Sequence, residues 1–157
     1  MNTITTTPVW KTIIVGNLTV AELRNALRDK KGGIGLTPAA LQTFDASLIA
    51  PKAEIDLVVV TAKEIGFPDG ATREEIYAKA IELGFKLCPP EVGPLVWLEH
   101  YGKQTACEKL TIGMEPVSDN LFHLYNANGT LVFTTSQGNA DHSWHRSSRW
   151  VFCSPRK

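Results

Sequence analysis

Residues 56–62 read Asp-Leu-Val-Val-Val-Thr-Ala, a continuous β-branched run with no polar alternation. A strand without a polar face has no side to turn to water, so this run predicts a strand covered on both faces and central in its sheet. The 157-residue length leaves room for one core of that kind and little for a second. Hydrophobic residues make up 43% of the chain and charged residues 20%, which is enough apolar surface to offset the entropy of folding. The expectation is one domain over 9–157 behind a disordered, Thr-rich tail at 1–8 that has no periodicity.

Helical signals dominate the first half. Residues 10–15, rich in β-branched and aromatic side chains, predict a first strand stopped by Gly16-Asn17. Thr19 and Glu22 then have capping-box spacing, followed by Val20, Leu23 and Leu27 at helical intervals up to Gly32-Gly33. Thr37-Pro38 opens a second helix with an apolar stripe of Leu41, Phe44 and Leu48. Thr72 and Glu75 repeat the capping box for a third over 72–83, with Ile76, Ala80 and Leu83 inward and Gly84 at the C-terminal stop.

The pattern changes after Cys88-Pro89-Pro90-Glu91-Val92-Gly93-Pro94, whose prolines predict a rigid connector outside regular structure. Beyond it, strands are expected over 95–101, 109–115, 121–125, 130–135 and 149–153, with a polar loop over 136–148. Leu110, Ile112 and Met114 share one face of their strand, and Asn128-Gly129 between alternating runs signals a hairpin. Helices early and strands late give an α+β fold, with N-terminal helices packed on a mainly antiparallel C-terminal sheet.

Several functional classes are disfavoured. The 16 basic and 16 acidic residues cancel, so non-specific nucleic-acid binding, which needs global positive charge, is not expected. The first residues lack the basic and apolar regions of a signal peptide, and the apolar run 57–60 is far shorter than a membrane span. Cys88, Cys107 and Cys153 form an odd, scattered set that suits reduced thiols in a cytoplasm better than disulfides or zinc.

The blocks Gly70-Ala71-Thr72, Glu75-Ile76-Tyr77-Ala78, Glu82-Leu83-Gly84 and Leu87-Cys88-Pro89 with Glu91-Val92-Gly93-Pro94, together with Arg149-Trp150-Val151-Phe152, resemble an uncharacterised family of small bacterial proteins. The likeness spans roughly the C-terminal 60% of the chain and includes Met114-Glu115-Pro116. Pro90 stands where such sequences tend to carry Ala. The resemblance implies a bacterial origin and a shared fold, and it assigns no catalytic residue.

All four histidines lie in the second half. His142 and His145 could offer two imidazoles to a metal, but H-x-x-H in a Ser/Asn/Gly loop lacks a helical frame and reads more simply as surface histidines. Glu115 and Asp119 could converge with His123 as general acid and base, against a plainer reading as turn-capping carboxylates. Cys88 sits in an apolar context that suits an inert core thiol. No phosphate-loop, dinucleotide or serine-hydrolase motif occurs.

The C-terminal region is the most suggestive. Arg146, Arg149, Arg156 and Lys157 follow the last acid, Asp141, and interleave with Trp144 and Trp150. Trp144, His145, Arg146 and Arg149 are therefore candidate contacts for an anionic ligand or an acidic protein surface, the two arginines projecting from one sheet edge. The plainer alternative is a charged edge that keeps the last strand from pairing with another chain. The expectation is a non-enzymatic binding or protein-interaction module without a cofactor. A small hydrolase or transferase using Glu115, Asp119 and His123 is the alternative.

Overall fold

The computed structural model describes residues 8–29, 35–45, 51–100, 109–117, 119–127, 130–137 and 143–154. The expected tail, apart from Pro8, lies outside these residues, as do Gly32-Gly33, Leu48, Cys107, the hairpin tip at 128–129, His142, Arg156 and Lys157.

Thr-x-x-Glu spacing recurs at three points where the first half turns into or out of a regular element. Before α1 (Val20–Asp29), the Thr19 N–H donates to Glu22 Oε1 at 2.8 Å and the Glu22 N–H to Thr19 Oγ1 at 3.1 Å. The same exchange joins Thr72 and Glu75 ahead of α3 (Arg73–Glu82), at 2.9 and 3.2 Å. A third, not foreseen, joins Thr61 and Glu64 where β2 (Ala53–Thr61) ends. Each exchange satisfies two backbone donors that a chain end would leave unpaired. At α2 (Pro38–Asp45), the Ala40 N–H donates to Thr37 Oγ1 at 3.2 Å.

The remaining strands are β1 (Lys11–Val15), β3 (Ala71–Thr72), β4 (Lys109–Ile112), β5 (Asn120–Ala127), β6 (Thr130–Gln137), β7 (Ser143–Trp144) and β8 (Arg149–Ser154). Six of them form one sheet in the order β1-β2-β8-β4-β5-β6. Every neighbouring pair is antiparallel except β4 with β8. The fold is therefore α+β with a mostly antiparallel sheet, as expected. Its first two strands, however, come from the N-terminal half.

Register assigns the faces. Thr111 pairs with His123 and with Trp150, so these three share one face, while Leu110, Ile112, Leu124 and Val151 share the other. On the first face Tyr77 of α3 meets Trp150 edge-on at 5.7 Å and Phe152 at 5.9 Å. Gly113 is needed there because a Cβ would lie 2.3 Å from the Phe152 ring. On the second face Trp97 stacks on Phe133 at 6.2 Å and donates its Nε1–H to the Leu131 carbonyl at 2.8 Å. Leu57, Val58 and Val60 of β2 are all buried, so the strand is covered on both faces as its sequence predicts. It stands second from the sheet edge rather than at the centre.

Four expectations are corrected. The strand expected over 95–101 is replaced across its described residues by a helix, α4 (Val92–His100). Val92, Val96 and Trp97 are buried and Leu95 and Leu98 half-buried, so no polar face exposes the 3.6-residue period. The connector is not wholly irregular either: the Pro89 and Pro90 carbonyls accept the Val92 and Gly93 N–H groups, and Pro94 sits in the first turn, where no N–H is required. The polar loop over 136–148 is interrupted, since β6 runs to Gln137 and β7 pairs with β3. Finally, β8 lies between β2 and β4, so Arg149 begins an interior strand and no sheet edge there needs protection.

Candidate functional site

The polar side of β4, opposite its apolar stripe, places Lys109 and Thr111 on the first face of the sheet beside His123 of β5. The segment entering β8 comes up against them. Trp144, His145, Ser147, Ser148 and Arg149 complete a cavity of about 420 Å³, within the range of small-molecule sites.

This wall is built rather than loose. Trp144 pairs with Ala71, the Lys63 N–H donates to the Arg146 carbonyl at 2.9 Å, and the Ser148 N–H to the His145 carbonyl at 3.0 Å. Gly70, at a φ of 90°, permits the close approach, because a Cβ would lie 2.5 Å from the Trp144 carbonyl oxygen. The Trp144 ring meets Trp150 edge-on at 4.7 Å, and Trp150 in turn lies nearly parallel to Phe152. The rim of the cavity thus rests on an aromatic cluster of the core.

Both imidazoles are held by hydroxyl groups. His123 Nδ1 lies 3.0 Å from the hydroxyl of Thr111, itself buried. Burial, and secondly the charge of Lys109, lower the His123 pKa to about 4, so the ring is neutral at pH 7. His145 Nδ1 accepts the Ser147 N–H at 3.1 Å and lies 2.7 Å from the Ser147 hydroxyl. With Nδ1 accepting, the neutral His145 ring carries its proton on Nε2.

The lining holds the cations Lys109 and Arg149, the hydroxyls of Thr111, Ser147 and Ser148, and no carboxylate among the described residues. A second hollow of about 460 Å³, beside β1, has the opposite character: Ile14, Leu95 and Leu98 line it together with Glu54 and Glu99. Of the two, the first cavity is the one lined by basic and hydroxyl-bearing residues.

The residues singled out in the sequence divide accordingly. Trp144, His145 and Arg149 line the cavity, and so does His123, which the acid–base reading had grouped elsewhere. Both arginines are exposed, and Arg149 lines the cavity while Arg146 does not. Glu115 and Asp119 are also exposed and outside it. Asp119 has a φ of 64° in a tight turn where Val117 and Asn120 exchange 2.9 Å backbone hydrogen bonds, which fits the turn-forming reading. His142 lies outside the described residues, and among those described no group of His, Cys, Asp and Glu is placed to hold a metal. Lys109, Thr111, Ser147 and Ser148 were missed; the polar face opposite Leu110 and Ile112 was the available signal for the first two. No helix among the described residues is long and apolar enough to cross a membrane. Comparison with protein-family models, with curated proteins and with solved structures finds no match.

Proposed function

We propose that this chain is a binding module for a small anionic molecule, bound through a phosphate or carboxylate in the cavity between β4, β5 and the segment entering β8. The observation that carries the reading is a cavity containing Lys109 and Arg149 with hydroxyl and imidazole groups and no lining carboxylate among the described residues. Charge-assisted hydrogen bonds from such donors are the strong ones, and an arginine fork suits planar oxyanions. Trp144, half-buried at the rim, offers an apolar face to the rest of the ligand.

The reading favours binding over catalysis. A hydrolase or transferase built on Glu115, Asp119 and His123 would need the carboxylates near the ring, and neither lines the cavity. The bacterial cytoplasmic setting belongs to the proposal, and the free thiols of Cys88 and Cys153 support it.

A thermal-shift series with orthophosphate and simple carboxylates at low ionic strength tests it. A ligand-dependent rise in Tm for the wild type, lost in Lys109→Ala, is the expected outcome. Equal shifts in both proteins would place the bound anion elsewhere.

A further inference from the structure

Away from the cavity, at the opposite end of β8, lie two buried thiols. Cys153 is on β8, and Cys88 is in the connector between α3 and α4. The connector is joined to β8 by a two-way backbone bridge, Lys86 N–H to the Cys153 carbonyl at 2.8 Å and Cys153 N–H to the Lys86 carbonyl at 2.9 Å. Two residues on, the Cys88 N–H donates to the Gly113 carbonyl at 2.7 Å, and the Cys88 thiol to the Val151 carbonyl at 3.4 Å. These bonds leave the Cys153 thiol donating to Cys88 Sγ, with the sulfurs 3.7 Å apart.

We infer that Cys88 and Cys153 are a two-thiol oxidation site, converted to a disulfide by a small peroxide. A sulfur separation of 3.7 Å must fall to about 2.05 Å, so a closing movement of less than two ångströms suffices. Core packing alone does not require two thiols to face one another; an inert buried cysteine is ordinarily met by carbon.

The two sulfurs have different parts. When Cys153 ionises, Cys88 turns to donate to it; that hydrogen bond and the charge of Lys86 hold the Cys153 thiol below its usual range, against the effect of burial. Burial pushes the Cys88 thiol up. Cys153 is thus the attacking sulfur: its thiolate takes the distal oxygen of hydrogen peroxide, the O–O bond breaks, and the hydroxide released takes up a proton to become water. Cys88 then attacks the sulfenic sulfur of Cys153, the S–O bond breaks, and the second water leaves with the Cys88 proton. The balance is two thiols and one peroxide giving one disulfide and two waters.

The bond would tie the α3–α4 connector to an interior strand and close a loop spanning 65 residues. Covalent closure of a long loop raises resistance to unfolding.

The test treats the full chain with hydrogen peroxide and reads thiol count and a non-reducing peptide map. The count should fall from the three cysteines of the sequence to one, with the Cys88 and Cys153 peptides joined and Tm raised. Cys107→Ser should behave alike, starting from two thiols and ending with none, whereas Cys153→Ser should form no intramolecular disulfide. A disulfide containing Cys107, or Cys153 over-oxidised while Cys88 remains a thiol, would overturn the inference. So would an unchanged thiol count at peroxide levels that oxidise a free cysteine peptide.

Discussion

Thr111 Oγ1 and His123 Nδ1 lie 3.0 Å apart, a side-chain hydrogen bond between β4 and β5 in the wall of the cavity. The two residues are register partners, so the contact follows directly from strand pairing. It also orients an imidazole that burial keeps neutral, with Lys109 adding to the effect. Strand register therefore places a fixed, uncharged ring beside the cations of the cavity.

That ring predicts a pH dependence. The His123 pKa falls from 6.5 to about 4 on folding, so between these values the unfolded chain binds a proton that the folded one does not. Stability from this residue is complete above pH 6.5 and is lost as pH falls toward 4. At about 1.4 kcal/mol per pKa unit the full loss is about 3–4 kcal/mol, most of it already present at pH 4.5. Urea midpoints at pH 7 and pH 4.5 should differ less in His123→Gln than in the wild type; an equal difference would show that other groups set the acid response.

Ile76 is fully buried beneath α3. Ile76→Ala should cost about 2–4 kcal/mol through the cavity it leaves. A loss below about 0.5 kcal/mol, the range of surface changes, would mean that α3 packs through a different face.

The Tyr77 hydroxyl donates to the Met114 carbonyl at 2.7 Å and accepts the Met114 N–H at 3.0 Å, filling the place of a neighbouring strand. Tyr77→Phe leaves both backbone groups buried without these bonds. The expected cost is about 1–3 kcal/mol by denaturant unfolding, despite the near-identical shape of the ring. A neutral result would show that water replaces the hydroxyl.

Gly70→Ala tests the wall of the cavity from behind. The substitution adds a Cβ 2.5 Å from the Trp144 carbonyl oxygen at a φ of 90°. It should destabilise by about 1–2 kcal/mol from left-handed strain alone and shift the indole emission as Trp144 moves. An unchanged spectrum would detach Gly70 from the site.

How much of this was legible depends on whether the signal was local. The capping boxes at Thr19 and Thr72 were readable because both partners lie within one turn. The β5–β6 hairpin was readable too, with Ala127 pairing with Thr130 across the two-residue tip. Helix α4 was not, because burial on nearly every side erases the amphipathic period; Gly93, where a Cβ would lie 2.7 Å from the Phe122 ring, is there for packing rather than for a turn. The cavity was legible only in fragments. Trp144, His145 and Arg149 stood out as a local cluster, but Lys109, Thr111 and His123 join them only through the parallel pairing of β4 with β8, which no short-range spacing encodes.

The central claim is that Arg149 and Lys109 form an anion site from which Arg146 is excluded. The most direct measurement is a titration of orthophosphate followed by tryptophan emission, on the wild type, Arg149→Ala, Lys109→Ala and Arg146→Ala, at low salt and at 0.1 M, where exposed charges are screened over about 10 Å. The account predicts saturable binding by the wild type and Arg146→Ala, about tenfold or more weaker in Arg149→Ala and Lys109→Ala, and weaker for all at the higher salt. Saturable binding that weakens in Arg146→Ala as much as in Arg149→Ala, or no saturation in any of the four, would contradict it.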